Sequence, residues 1–319
     1  EIVSRDWSSD VCSSDLGFDL PFLVNMQPAG FYLGEDYQRA GATAAVMGEM
    51  LAAGMLDGTP LRVSGKTVAQ DYADARSENH EVIKTPADPM RAKAGFVVIS
   101  GNLFDSALMK TSVISAQFQE KFLSRPGSEG VCEARAIVFE GPEDYHDRIN
   151  DPALEIDENC MLFIRGVGPI GYPGGAEVVN MQPPDALIAA GIQHRPTSGD
   201  GRQSGTSESP SILNASPEAV IGGGLAYLQT NDIVRLDIPN ATMDALVPTE
   251  EWQARKDAWE KPKLEHQTPW QELQRAHVGH FSDGGCLEFA TRYRRTSETL
   301  PRDNQDRKST RLNSSHVKR

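Results

Sequence analysis

The chain has no apolar stretch near the ~20 residues that a membrane-crossing helix needs, so no spanning helix is expected. It is also short of positive charge, with 31 Lys and Arg against 45 Asp and Glu and a net charge of −14. An acidic surface repels phosphate backbones, which argues against a nucleic-acid partner. Cysteine is scarce as well. Cys12, Cys132, Cys160 and Cys286 lie far apart and form no C-x-x-C pair. Buried or half-buried thiols in a reducing cytoplasm are therefore expected, rather than a zinc or iron–sulfur site made from these residues alone. No secretory leader pattern and no internal repeat is visible.

Both ends look foreign to the rest. Read back into codons, residues 6–16 and 306–316 come from the two strands of one oligonucleotide, the pattern that a sequencing adapter leaves when read through at each end. Residues 1–16 and 306–319 are therefore set apart as adapter-derived, and they are expected to pack poorly.

What remains is of ordinary globular composition, 39% hydrophobic and 24% charged over the whole chain, enough for one large or two modest domains. Tyr37, Ala40, Ala44, Met47 and Leu51 recur at helical spacing, which predicts a helix over 35–53 stopped by Gly54. Residues 61–63 are a short strand candidate, and 70–94, polar and holding Pro86 and Pro89, read as a linker or long loop. Strands are expected at 96–100, 134–139 and 161–164, and a short helix at 185–190. Ser216-Pro217-Glu218 reads as a cap followed by proline at the first helical position. Two strands, 233–238 and 241–247, flank a Pro239-Asn240 turn. The tail from 251 carries Trp252, Trp259 and Trp270 among charges and reads as helices packed on the main body. Several strands with irregular loops between 95 and 250 suggest a barrel-like or sandwich-like β domain.

Two glycine-dense loops carry the chemistry. The first runs over 163–177 and holds Gly166-Val167-Gly168-Pro169-Ile170-Gly171-Tyr172-Pro173-Gly174-Gly175-Ala176-Glu177. The second is Gly199-Asp200-Gly201-Arg202-Gln203-Ser204-Gly205-Thr206-Ser207. Glycine lets a backbone turn sharply and approach a ligand closely. Each loop presents a reactive side chain, Glu177 and Ser204. A hard metal ion takes a carboxylate oxygen, and proton abstraction needs a positioned base. The plainer readings are a solvated glutamate and a polar loop serine. The first loop matches G-x-G-x-x-G, but Pro169 and the following Tyr172-Pro173-Gly174-Gly175 prevent the helix that dinucleotide binding requires. Ser64-Gly65-Lys66-Thr67 mimics the end of a P-loop but has Pro60 where that loop needs glycine. His277, His280 and Cys286 are more simply a helix end than a metal site. Ser204 is not set in G-x-S-x-G.

Together the two loops resemble those of the dihydroxy-acid dehydratase/phosphogluconate dehydratase family, most closely its bacterial sugar-acid (D-xylonate type) branch. Asn25-Met26-Gln27-Pro28-Ala29-Gly30 is also similar to that family. The carriers are Pro173-Gly174-x-x-Glu177 and the D-x-R-x-S-G match of Asp200, Arg202, Ser204 and Gly205, with 27 residues from Glu177 to Ser204. The resemblance implies an α/β fold: a C-terminal β-barrel, similar to the swivelling domain of aconitases, behind the tail of an upstream α/β domain. On that reading 17–93 ends the α/β domain, 94–250 is the barrel and 251–305 is a C-terminal helical extension. The implied activity is that of a hydro-lyase dehydrating a sugar acid to a 2-keto-3-deoxy acid. Ser204 would be the base, Glu177 a Mg²⁺ ligand and Thr206 a substrate contact. An iron–sulfur cluster would be held by residues outside this chain, in a missing N-terminal part. Serine is a poor base unless positive charge stabilises its alkoxide, and a neighbouring Mg²⁺ supplies it. A cytoplasmic homo-oligomer is expected of the full-length protein.

Two departures from the sugar-acid branch stand out. Arg195-Pro196-Thr197-Ser198 replaces a less polar stretch, and Glu208 stands where glycine is expected and adds negative charge near a site for anions. Two other readings stay open at this point: a branched-chain dihydroxy acid as substrate, and a catalytically inactive half-site that only binds a partner domain.

Overall fold

The computed structural model describes residues 19–27, 29–193, 195–203 and 209–293. The end segments set apart above lie outside these residues. Residues 19–93 hold α1 (Gly34–Arg39), α2 (Ala42–Ala52) and α3 (Val68–Tyr72). Ala40, Ala45, Val82 and Ile83 form a small core of their own there. The helix expected over 35–53 is broken, because Gly41 takes φ +105° and caps α2. Residues 61–63 are not a strand. Arg62 and Lys66 close a tight turn at Gly65 (φ +79°), and the Thr67 hydroxyl caps α3 by accepting from the Gln70 N–H at 3.2 Å. The long loop does more than link. Isolated bridges join Val24 to Ile83 and Phe22 to Arg91, so it packs back on the start of the segment.

The second part is a closed eight-stranded barrel. Its strands are β1 (Phe96–Gly101), β2 (Phe104–Lys110), β3 (Val131–Phe139), β4 (Cys160–Ile164), β5 (Thr197–Gly199), β6 (Ser211–Ser216), β7 (Ile233–Asp237) and β8 (Thr242–Ala245). Short helices lie between strands, among them α4 (Pro142–Arg148) and α5 (Asp185–Ala189). Around the barrel the order is β1-β2-β6-β5-β4-β3-β7-β8, with β8 returning to β1 through Ser100 and Thr242. The pairs β3–β4, β4–β5 and β5–β6 are parallel; β1–β2, β2–β6, β3–β7 and β7–β8 are antiparallel. Together with its helices this is an α/β fold with a C-terminal barrel.

Burial follows from the pairing. Parallel strands are covered on both faces and read as unbroken apolar runs; all five residues of β4 are buried. Met161 and Phe163 join Ala136, Val138, Ile212, Val234, Leu236 and Met243 in the larger core. Leu162 and Ile164 join Ile137, Phe139, Val167 and Val179 in a second layer outside it. The antiparallel β8 alternates buried and half-buried residues, the period-2 signature of one covered face. The expected cap-and-proline helix at 216–218 is absent. Ser216 ends β6, and only one 3-10 turn (Ala219–Ile221) follows before Gly222 at φ +90°. Beyond the barrel lie α6 (Thr249–Ala258) and α7 (Pro269–His277).

The polar stretch at 195–198 is buried within this barrel. Thr197 shares a hydrogen bond of 3.0 Å with Ser211. Ser198 is paired in register with Phe163 and Ile212, and its buried Oγ has no hydrogen-bond partner among the described residues. An unsatisfied buried hydroxyl costs about 1–3 kcal/mol. Ser198→Ala should therefore leave stability unchanged or raise it by about 1 kcal/mol, measured by denaturant unfolding; a clear loss would reveal a partner for this hydroxyl.

Candidate active site

Parallel strands deliver their following loops to one end of a sheet. Here β4 is followed by the first glycine loop, β5 by Asp200 and the second loop, and β6 by Glu218. These strands are neighbours, so the three loops meet.

Asp200 is wholly buried and ties them together. Its Oδ2 accepts from the N–H of Gly166 at 3.0 Å and of Ala219 at 2.8 Å, and its Oδ1 from Val167 at 2.9 Å. Burial pushes this carboxyl above the usual range, while the N–H donors pull the other way. Glu218, 2% exposed, accepts from Ile170 at 2.9 Å and Gly171 at 2.8 Å. A side chain at Gly168 would place its Cβ 2.6 Å from the Glu218 carboxylate, so only glycine passes there. Burial, with a smaller contribution from Asp200, pushes Glu218 up to about 7 against its two N–H donors.

After the loop, the chain at Glu177 runs parallel to Arg202. The Arg202 N–H donates to Ala176 at 2.8 Å, its Nε to the Gly175 carbonyl at 2.7 Å, and Val179 donates to the Arg202 carbonyl at 3.3 Å. The Arg202 guanidinium stands 3.6 Å from the Glu177 carboxylate, and both side chains are about half exposed, 47% and 46%. So open an ion pair is worth little and yields readily to a competing cation. Glu177 and the start of the D-x-R-x-S-G motif are thus side by side. Ser204 and Thr206 lie outside the described residues, as does Glu208; Arg202 precedes Ser204 by two positions in the chain.

Among the described residues no group of three or more His, Cys, Asp or Glu side chains is placed to hold a metal ion. Glu177 fits a single ligand of a hard divalent cation, which commonly takes one or two protein carboxylates and fills its shell with water and substrate oxygens. The described cysteines do not fit a cluster, which needs thiolates. Cys132 in β3 is half-buried and its thiol is pushed up to about 11. Cys160 in β4 is buried and raised as well, with its sulfur bonded to Asp157 and Arg135. Cys286 is exposed in the tail.

Residues 81–285 match the family described as dihydroxy-acid/6-phosphogluconate dehydratase C-terminal, and residues 12–71 its N-terminal counterpart. The chain belongs to the dihydroxy-acid/6-phosphogluconate dehydratase family. The chain is 53% identical to the D-xylonate dehydratase of Caulobacter vibrioides over 304 residues, 95% of this chain and 50% of that protein. It is 35% identical to the L-arabinonate dehydratase of Rhizobium leguminosarum bv. trifolii, over 89% of this chain and 46% of that one. It is 31% identical to the dihydroxy-acid dehydratase of Caldanaerobacter subterraneus, over 78% and 43%. The chain spans about half the length of the curated relatives it matches. Family relatives bearing these names are hydro-lyases.

The sequence pointed to Glu177 and to the motif around Ser204, but not to the roles of Asp200, Glu218 and Arg202 around the loop. Asp200 stood within the motif as a possible signal. Glu218 looked like the start of a helix, and nothing in its neighbours marked it as buried.

The raised carboxyl of Glu218 carries a pH signature. In the unfolded chain it titrates near 4.5 and in the folded one near 7. Between those values the folded state keeps a proton that the unfolded state has lost, so the group's stabilising contribution falls as pH rises through the window. Relative to Glu218→Gln, the parent should lose on the order of 3 kcal/mol of unfolding free energy from about pH 4.5 to about pH 7. Parallel pH curves for the two proteins in denaturant melts would contradict this.

Proposed function

We propose that this chain is the C-terminal part of a sugar-acid dehydratase, a hydro-lyase that converts an aldonate such as D-xylonate to a 2-keto-3-deoxy acid. The observation that carries the reading is the pairing of Glu177 with Arg202 at the head of the serine motif, in a family whose relative at 53% identity is a D-xylonate dehydratase. Ser204 removes the proton on the carbon next to the substrate carboxylate. The C–H electrons form the new double bond, the hydroxyl on the following carbon leaves with its bonding pair, and the proton taken by Ser204 is passed on to it, so that water is released and the base restored. The resulting enol then tautomerises to the keto acid. Glu177 would hold Mg²⁺ through its carboxylate, and Thr206 would contact substrate. When bound, Mg²⁺ supplies the positive charge that favours the serine alkoxide and the negative charge gathering on the substrate carboxylate. Arg202, half exposed beside Glu177, is a weak partner that the carboxylate can exchange for the cation. The iron–sulfur cluster belongs, in this proposal, to the upstream half, because the cysteines described here do not fit it. The working protein is a cytoplasmic homo-oligomer with its upstream domain seated over these loops. No helix among the described residues is long and apolar enough to cross a membrane.

In the full-length enzyme, Ser204→Ala should reduce turnover to background and leave the cluster absorption spectrum intact, since the base acts in the chemical step alone. Glu177→Gln should lower the rate and weaken the Mg²⁺ dependence. Wild-type turnover by Ser204→Ala would end this mechanism. Pentonates, hexonates and the branched-chain dihydroxy acid should be assayed side by side. Relatives named dihydroxy-acid dehydratase share 31–35% identity with the chain, and a preference for the branched-chain acid would move the substrate assignment to that branch.

The 319-residue chain on its own should take up no iron–sulfur cluster and dehydrate none of these acids, because it spans only half of its relatives and its described cysteines do not converge. Reconstitution with iron and sulfide followed by absorption spectroscopy and a keto-acid assay checks both points.

A further inference from the structure

The first glycine loop has to hold Glu177 in place without a helix or strand of its own. Its backbone takes φ +74° at Gly166, +97° at Gly174 and +65° at Gly175. Such a loop is entropically costly to order, and its order must come from outside. Asp200 holds its start through Gly166 and Val167. Glu218 holds its middle through the N–H groups of Ile170 and Gly171. Arg275 on α7, 105 residues beyond Ile170, donates to the carbonyls of those same residues, from Nε to Ile170 at 2.9 Å and from Nη2 to Gly171 at 3.0 Å. Residues 170 and 171 are therefore gripped at both their N–H and C=O groups, by a carboxylate from the barrel and a guanidinium from the tail.

The tail touches the loop a second time. A Cβ on Gly175 would come within 2.9 Å of the Phe281 ring, which therefore packs directly against the backbone two residues before Glu177. Arg275 is fixed from its own side too, since Nη1 donates to the Glu265 carbonyl and meets His266 Nδ1 at 3.2 Å. An arginine serving only to pin the tail would need one acceptor on the barrel. Here its fork is spent on the two consecutive residues that Glu218 already holds.

We propose that Asp200, Glu218 and Arg275 are positioning residues that aim Glu177, so that the C-terminal extension is a working part of the metal site. The inference rests on the reading of Glu177 as a Mg²⁺ ligand. It predicts coupling between the tail and metal affinity, which a stabilising attachment would not produce.

The test uses the full-length enzyme with Arg275→Ala, Arg275→Lys, Glu218→Gln and Glu177→Gln. Mg²⁺ affinity is measured by calorimetry, amide hydrogen exchange is followed over 166–176, and thermal melting serves as the folding check. Arg275→Ala removes a half-buried side chain and leaves no buried charge behind, so it should fold. It is expected to weaken Mg²⁺ binding roughly ten- to a hundred-fold, the usual effect of losing a residue that orients a ligand. Exchange over 166–176 should speed up while β3 and β4 stay protected, and Arg275→Lys should recover part of the affinity. Glu218→Gln offers an amide N–H₂ to one of two N–H donors and should act in the same direction. Unchanged Mg²⁺ affinity in Arg275→Ala, with or without faster exchange, overturns the inference. If Glu177→Gln weakens Mg²⁺ binding in the same series, the ligand assignment survives that result. If Glu177→Gln has no effect either, the assignment falls together with the inference.

Discussion

A single buried carboxylate holds the working end of the barrel together. Asp200 follows β5, and its three N–H donors come from the loops after β4 and β6. A buried peptide N–H without an acceptor costs about 1–3 kcal/mol, so removing Asp200 would leave three such groups in search of partners. The charge itself is costly to bury and is tolerated only because those dipoles converge on it. Glycine at 166, 168, 171, 199 and 201 is the counterpart: Cβ atoms at Gly168, Gly171, Gly199 and Gly201 would each meet a neighbour within 3.0 Å. The close approach of the loops and the satisfaction of Asp200 are one constraint.

That constraint depends on strand direction. Had β5 run antiparallel to β4, their following loops would lie at opposite ends of the barrel, and Glu177 would not meet Arg202. The run of parallel pairs from β3 to β6 therefore separates this barrel into an end that carries the glycine loops and one that does not. At the other end Arg195, just before β5, is buried with its guanidinium over the Phe122 ring at 5.3 Å, and the Ser209 hydroxyl donates to its carbonyl at 2.7 Å. The polar segment that looked out of place in the sequence is absorbed there by hydrogen bonds and stacking, all except the hydroxyl of Ser198.

The tail is bound to the body by charge and by aromatic packing. Arg255 on α6 pairs with Asp232 at 2.6 Å, and both side chains are largely buried, 13% and 10% exposed. Trp252 and Trp259 meet Tyr227 edge-on at 5.8 and 6.4 Å. These contacts bring α7 within reach of the first glycine loop, which is where Arg275 acts.

The sequence by itself determined the parts whose signal is local. The apolar run at 161–164, and the one at 134–139 interrupted only by Arg135, announced strands. The 233–238 and 241–247 pair announced a hairpin, and glycine density announced two tight loops carrying Glu177 and the serine motif. It did not reveal β2, β5 or β6. β5 is three residues long and largely polar, too short for periodicity to register. Nor did it show that Gly41 would break a helix whose apolar spacing continues on both sides. Only the tertiary structure decided that the loops after β4, β5 and β6 share one end, that Glu218 lies beneath Ile170 and Gly171, and that Arg275 closes over them from the tail. Those contacts join a side chain to a backbone group far away in the chain. A backbone N–H or C=O is the same at every residue, so the sequence carries no mark of which side chain will reach it; strand order and register alone bring the two together.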